Sequence, residues 1–445
     1  MINAIDNFFR ITDRGSNMRT EILAGLTTYL SLAYIFIVNP AILHNAGLQY
    51  DGKGMDVSGI FFATICASVF TTLLMGFWAR LPFAVAPGLE MNGFFAFTVC
   101  GTLGLSWQSA LGAVFWSGIL CIIITSIPAR QKIVDSIPNN LKTNIAVSVG
   151  VFVFTTGLFL GKIAIFDKGI PKGIGSLTSS YAIALYIGLL VSYVLGMRRL
   201  RFPGGMLVAI IIAAVYCKAQ GIVTATPAAR REDMTSLVGK LDLISLFTDP
   251  KLLPVFLILF VIGFYGSIGK FIGLTTSTNL QKDGKLDGMK SAMYTQGIGT
   301  VTSGLLGTSS IITYVESAVG IATGGRTGLV SVVVGILMLC SLVFTPLVGL
   351  IPVEATSGVL CYVGFILLPH DRWRDSSGTY NTFDACVAVV MGLIALVFFN
   401  LIWAMTFGFI AYTIKQILSA DQKNPFLISS TIVLIFSTIL QEYIK

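Results

Sequence analysis

Two carboxylates, one amine and one amide stand in this chain inside or beside long apolar runs. Glu90 and Asn92 lie in Leu81-Pro82-Phe83-Ala84-Val85-Ala86-Pro87-Gly88-Leu89-Glu90-Met91-Asn92-Gly93-Phe94-Phe95. Glu316 lies in Gly307-Thr308-Ser309-Ser310-Ile311-Ile312-Thr313-Tyr314-Val315-Glu316-Ser317, and Lys270 in Gly266-Ser267-Ile268-Gly269-Lys270-Phe271-Ile272-Gly273. The first stretch has two prolines and a glycine, and the second β-branched residues, glycines and hydroxyls. Each reads as extended chain followed by a half-helix. Extended backbone at membrane depth must be buried in protein or line a cavity. A half-helix starting there aims its free N–H groups and positive end at whatever fills that cavity. The edge of a flat heterocycle, rich in N–H and C=O, suits such main-chain groups, and a nearby glutamate accepts from its N–H groups. The chemistry expected is recognition rather than bond making.

Each residue also has a plainer reading. Glu316 could cap a half-helix, and Glu90 could lie near an interface. Lys270 either snorkels to the surface or pairs with Glu90 or Glu316. Asn92 could serve a helix–helix hydrogen bond. A buried ionisable group in a membrane is nevertheless functional by default. Catalysis has little to work with. The two histidines, His44 and His370, lie at span ends, no His/Asp/Glu cluster has ligand spacing, and no GxxxxGK[ST] phosphate loop occurs. No cofactor or metal is expected, and an ion gradient or facilitated flow is left as the driving force. The seven cysteines fall in or beside apolar runs, with no CxxC, and read as small buried hydrophobes rather than disulfides.

The elements that position these groups follow from composition. The chain has 445 residues, of which 55% are hydrophobic and 11% charged, with a mean hydropathy of +0.84. A soluble domain carries roughly 25% charge, so a soluble enzyme, a disordered scaffold and a nucleic-acid reader are excluded. The net charge of +8 sits in short breaks between long apolar runs, the pattern of a polytopic membrane protein. Candidate spans are 22–43, 57–79, 83–103, 108–128, 141–163, 178–197, 203–220, 252–276, 290–306, 308–324, 328–351, 355–369, 382–399, 401–418 and 425–443. Some are too short or broken to cross fully, the last three above all. The Lys/Arg bias of the short loops (Arg10, Arg14, Arg19, Arg80, Arg130, Lys132, Lys142, Arg198, Lys282 and Arg326 among them) places the N-terminus in the cytoplasm. The long 221–251 segment falls outside and divides the chain near its middle. The two interrupted stretches are the third and tenth candidates. Broken segments at matching positions of two halves point to a transporter site, and seven spans per half make the repeats inverted.

At these residues the chain resembles the nucleobase–ascorbate transporter family, in its guanine/hypoxanthine and adenine permease branch. The resemblance runs over nearly the whole length. It is carried by Arg19-Thr20-Glu21-Ile22-Leu23-Ala24-Gly25-Leu26-Thr27-Thr28, by Tyr34 to Pro40, by Ala86-Pro87-Gly88 with Asn92 and Phe94-Phe95-Ala96-Phe97, and most by Gly307 through Glu316-Ser317 to Gly324-Gly325-Arg326-Thr327-Gly328-Leu329. It implies an all-α polytopic fold of fourteen segments in two inverted repeats, with core and gate domains. On that plan 1–20 is a cytoplasmic N-terminal segment, 21–128 and 251–351 form the core, 129–222 and 352–445 the gate, and 223–250 the outer loop. It further implies import of a purine-type nucleobase with protons by an elevator-like motion. The protein would lie in a bacterial inner membrane, with a homodimer possible. The expected partners are the base, H+ and the lipid bilayer, and no nucleic acid. The expected substrate-binding set is Glu316, Glu90, Asn92, Phe94, Thr313, Tyr314, Ser317, Tyr265 and Gly266, with Glu316, Glu90 and Lys270 in proton coupling.

The chain departs from the branch on its eighth segment. Against a pattern like FxDxFDTxGTLxG, Gly263 and Gly266 stand where aspartates belong, and Lys270 replaces a threonine. Gln296 stands for another aspartate, while Glu90 occupies a small-residue position of APGMGLN. Glu90 is therefore expected to face Glu316 across a pseudo-two-fold axis, with Lys270 offsetting one charge. A fixed Lys–Glu pair holds its carboxylate ionised and weakens proton coupling. A Lys270 aimed at the cavity favours an acidic heterocycle of xanthine or urate type over adenine. The readings weighed against a purine carrier are a same-fold carrier of another heterocycle or small anion, a non-transporting paralogue, and a membrane enzyme.

Overall fold

A chain in hydrocarbon has no water to satisfy its backbone, so apolar runs must close their hydrogen bonds internally as helices. In the computed structural model, residues 2–48, 54–127, 138–167, 170–196, 204–222, 233–275, 278, 280–282, 285–344, 351–368, 382–418 and 424–443 are described. The first half contains α1 (Ile2–Phe9), α2 (Met18–Leu32), α3 (Ile35–Leu43) and α4 (Val57–Leu74), then strand β1 (Val85–Pro87), α5 (Leu89–Gly93) and α6 (Trp107–Ser126). It continues with α7 (Asn139–Leu160), the hairpin β2 (Ala164–Asp167) and β3 (Ile170–Ile174), α8 (Ser180–Gly196) and α9 (Gly205–Ala219). The second half contains α10 (Leu252–Thr275), a small hairpin of β4 (Gln281–Lys282) and β5 (Lys285–Leu286), α11 (Met289–Leu306), β6 (Ile311–Thr313), α12 (Ser317–Ala322) and α13 (Gly328–Cys340). The chain then forms α14 (Ser357–Leu367), α15 (Thr382–Val397), α16 (Leu401–Leu418) and α17 (Pro425–Tyr443). Among the described residues five helical segments, such as Val57–Ala79 and Trp107–Ser126, are long and apolar enough to cross a bilayer, and several shorter apolar helices accompany them.

The two halves match element by element. The broken α2–α3 corresponds to α10, α4 to α11, β1–α5 to β6–α12, α6 to α13 and α7 to α14. Beyond that point they differ, because two long described helices and the short Ser245–Thr248 follow α7, and three long ones follow α14. The first candidate span is not one helix, since it breaks at Ala33–Tyr34, ahead of Pro40 inside α3. The helices pack in two groups. One joins α2, α4, α6, α11 and α13, and the other α7, α8, α9, α14, α15 and α16. The first group falls in the segments expected as core and the second in those expected as gate.

Small residues let helices of the first group touch backbone to backbone, the usual device where lipid gives no hydrophobic drive to pack. A Cβ on Gly328 would collide with the Gly76 carbonyl, and one on Gly320 would meet Thr28 Oγ1 and lie 2.7 Å from Ala24 O. The cysteines only partly follow expectation. Cys100, Cys121, Cys217 and Cys361 are buried, Cys66 is half-buried, and Cys340 and Cys386 are exposed on outward faces where a thiol meets no core.

Two sequence blocks that looked unrelated meet at one end of the core. Glu21, just ahead of the first apolar run, is fully buried. Its carboxylate accepts from Arg326 N at 2.9 Å, Thr327 N at 3.1 Å and Thr327 Oγ1 at 2.6 Å, which caps the start of α13. Arg326 Nη1 donates to Ile321 O at 2.5 Å and satisfies the far end of α12. Arg14 Nη1 donates to Arg80 O at 2.6 Å and to Arg326 O at 3.2 Å. Desolvation holds the Arg14 guanidinium below its ordinary pKa range. His44 ends α3 and bonds Met55 O through Nδ1 at 2.7 Å, a span-end role as expected, while His370 lies outside the described residues.

Candidate substrate site at the crossing of two half-helices

The two interrupted segments meet as a two-stranded antiparallel ladder with the register Val85↔Thr313, Ala86↔Ile312 and Pro87↔Ile311. Tyr314 N donates to Ala84 O at 3.0 Å and Gly88 N to Ser310 O at 3.1 Å, extending the pairing at both ends. Pro82 and Pro87 remove two donors a helix would need, and Gly307, at φ +100°, ends α11 and turns the chain into β6. Glu90 lies four residues beyond Ala86, and Glu316 four beyond its partner Ile312. The two carboxylates are therefore related by the pseudo-two-fold axis through that central pair. Beyond Gly93 the first half-helix continues as π-helix from Phe94 to Thr102, a form often found at functional sites.

The axis does not give the two acids equal surroundings. Glu316 is buried, its Oε1 accepts from the Tyr34 hydroxyl at 2.7 Å, and its Oε2 has no hydrogen-bond partner among the described residues. Glu90 instead pairs with Lys270 Nζ at 3.1 Å. The side chains in that pair are only 16% and 7% exposed, so Lys270 points inward and does not snorkel. Lys270 and Glu90 both lie within Coulombic reach of Glu316.

The other expected residues divide into two sets. Tyr314 and Ser317 come to the crossing but hold it together, the Tyr314 hydroxyl donating to Pro87 O at 2.6 Å and Ser317 Oγ accepting from Ala84 N at 3.0 Å. Phe94 is fully buried. Asn92 accepts from Ser309 Oγ through Oδ1, while its Nδ2 joins Thr313 Oγ1, Ser310 Oγ, Ser267 Oγ and Gln296 Oε1 as buried polar atoms without a partner among the described residues. Bare groups of this kind are uncommon, because buried polar groups are normally satisfied. On α10, a Cβ at Gly266 would meet nothing within 4 Å, and one at Gly263 only Met91 Cε at 3.8 Å and Gln296 Nε2 at 3.9 Å. The Tyr265 side chain lies outside the described residues. Gln296 Nε2 donates to Gly263 O at 2.7 Å.

A cavity of about 540 Å³ opens onto Glu316, within the usual range for small-ligand sites. One wall is core (Thr27, Ser31, Val319, Ala322) and the other is gate (Ser192, Gly205, Met206, Tyr362). Of the expected binding residues only Glu316 lines it. At the other end of the core–gate boundary five rings close together. Phe399 stacks on Phe152 at 4.9 Å and on Phe166 of the β2–β3 hairpin at 4.9 Å, and lies 5.7 Å from Phe97 and 5.9 Å from Phe159. The seventeen residues of α8 separate that hairpin from Gly196 at the cavity, about 25 Å at the helical rise. Phe399 takes φ +47° between α15 and α16, a conformation a bulky residue adopts only under strain.

Two functional-looking groups escaped the sequence reading. Tyr34 carried a signal: a tyrosine in mid-span beside a proline-interrupted helix. Asp384 is almost fully buried in the gate. It accepts from the Tyr412 hydroxyl at 2.7 Å, lies 3.4 Å from Lys415 Nζ and bonds Asn140, which ties α7, α15 and α16 together.

A permease family model (Xan_ur_permease) matches residues 19–401. The adenine permease AdeP of Escherichia coli K12 is 32% identical over 423 residues, covering 93% of this chain and 90% of that protein. The guanine/hypoxanthine permease GhxP of Escherichia coli O157:H7 is 30% identical over 434 residues, covering 95% and 93%. Among solved structures, the transmembrane domain of a cyanobacterial bicarbonate transporter, BicA, superposes with a TM-score of 0.62 at 14% identity, over 88% of this chain and 97% of that one. It has the same inverted-repeat fold.

Proposed function

The chain belongs to the nucleobase–ascorbate transporter family, and from that premise we propose that it carries a purine-type nucleobase across the membrane by proton symport. The observation that carries this reading is Glu316, a buried carboxylate with one oxygen held by Tyr34 and the other bare, at the edge of a cavity large enough for a base. Glu316 Oε2 accepts a ring N–H. Asn92 Nδ2, Thr313 Oγ1 and Ser310 Oγ do not line that cavity, and a base meets them only by passing Glu316 toward the open space beside Gly266. Moving a charged site through hydrocarbon is costly. The Lys270–Glu90 pair carries no net charge, which leaves the charge of Glu316 to be neutralised. One proton accompanies each base.

The motion is an elevator-like slide of core against gate. The cavity between the two groups of helices is the open side, and the five phenylalanines at the far end are the closed side. With the N-terminus in the cytoplasm, this is an inward-open state. The protein is a bacterial inner-membrane importer on this reading. Phe399→Ala is expected to lower thermal stability by about 3 kcal/mol and to open the closed side. In that variant an impermeant maleimide added outside should alkylate Thr98→Cys faster. An unchanged labelling rate would remove the rings from gating.

The function itself is tested in proteoliposomes. An acid-outside gradient is expected to drive accumulation of labelled hypoxanthine or adenine above equilibrium, and a protonophore to collapse it. A robust gradient with no purine accumulation contradicts the proposal.

A further inference from the structure

Relatives named for adenine and for guanine or hypoxanthine are about equally similar to this chain, so identity does not choose between them. The distribution of donors and acceptors at the site does. Lys270 is a donor-only group with three N–H bonds, and among the described residues one of these goes to Glu90 Oε1 at 3.1 Å. It stands one helical turn beyond Gly266 on the same face of α10. A Cβ at Gly266 would meet nothing within 4 Å, and one at Gly263 nothing nearer than 3.8 Å. The face carrying the ammonium is thus stripped of side chains just where a ring could lie. Across the site the bare Glu316 Oε2 is available to accept.

A 6-oxopurine presents two adjacent acceptors, O6 and N7, on one edge, and a ring N–H at N1 on the next. Adenine presents N7 beside an amine, which donates. An ammonium fits the first edge and opposes the second, by the same donor–acceptor logic that pairs lysine with guanine O6 and N7 in nucleic acids. We propose that Lys270, held in place by Glu90, makes this carrier selective for 6-oxopurines over adenine by donating to O6 and N7. The assignment rests on the nucleobase reading above. Lys270 is the specificity-determining residue, and Glu90 is a positioning residue that acts through it.

The test is competition. Uptake of labelled hypoxanthine into proteoliposomes is measured against unlabelled hypoxanthine and unlabelled adenine, in the wild type, Lys270→Met, Lys270→Gln and Glu90→Gln. The wild type is expected to prefer hypoxanthine by about 10- to 100-fold. Lys270→Met should bring the two bases within about threefold, mainly by weakening hypoxanthine. Glu90→Gln, which frees the ammonium without removing it, should fall between. A merely structural role for the pair would weaken both bases together and leave their ratio unmoved. A wild type that takes adenine as well as hypoxanthine overturns the assignment, as does a Lys270→Met ratio equal to that of the wild type. The wild-type ratio decides even if Lys270→Met fails to fold, with Lys270→Gln as the milder replacement. If the wild type binds neither base, the nucleobase reading itself has failed. If it binds both without preference, only the role of Lys270 has failed.

Discussion

Glu316→Gln is expected to lower purine uptake by about 100-fold or more while the protein remains folded. The amide keeps the shape of the carboxylate and can still accept from the Tyr34 hydroxyl, now 2.7 Å from Oε1. What it loses is the charged acceptor at the bare Oε2. A hydrogen bond to a charged group contributes about 1.5–3 kcal/mol, and a mismatched buried donor adds to the loss. Tyr34→Phe leaves the carboxylate in place and removes one orienting bond, so it should cost less, about 10-fold. Initial rates in proteoliposomes, with monodispersity by size exclusion as the folding check, decide the point. Glu316→Gln at wild-type rate, with proton-driven accumulation intact, would leave the mechanism without its coupling residue.

The second large effect is on stability and lies away from the substrate. Glu21 is fully buried and receives three hydrogen bonds from Arg326 and Thr327 at the start of α13. Glu21→Ala leaves two backbone N–H groups and a hydroxyl without their acceptor. Unsatisfied buried donors cost about 1–3 kcal/mol each, so a loss of about 3 kcal/mol or more is expected. Thermal unfolding in detergent should shift down by many degrees, and yield should fall. Glu21→Gln keeps one acceptor oxygen and should lie between. A melting temperature within a degree of wild type for Glu21→Ala would mean that the cap contributes nothing.

Much of the site was legible because lipid is an unforgiving solvent. Pro82, Pro87 and Gly88 in one apolar run, and Ile311-Ile312-Thr313 before Glu316 in another, had no reason to interrupt a helix unless they met something. They meet each other. The pairing of Lys270 with Glu90 was also open to inference, since an amine and an acid at membrane depth need counter-charges. What could not be read is how each polar atom is used. Tyr314 and Ser317 stand in the most distinctive motif, yet their hydroxyls fasten the crossing, and spacing alone cannot separate a brace from a ligand. Tyr34 and Asp384 were missed because their partners, Glu316 and Tyr412 with Lys415, reach them through packing rather than through any local pattern. Glu21 was quoted only as one residue of a family motif, because its burial depends on a loop three hundred residues away. The helix count after residue 350 was equally opaque, since several adjacent apolar runs carry no register of their own.

The central claim is that the transported base lies where the two half-helices meet, against Glu316. A cryo-EM map of the purified protein with saturating hypoxanthine tests it most directly. The account predicts planar density within hydrogen-bond distance of the Glu316 carboxylate, between Lys270 on α10 and the β1–β6 crossing. Ligand density elsewhere, with the space around Glu316 unchanged from the ligand-free protein, would contradict it.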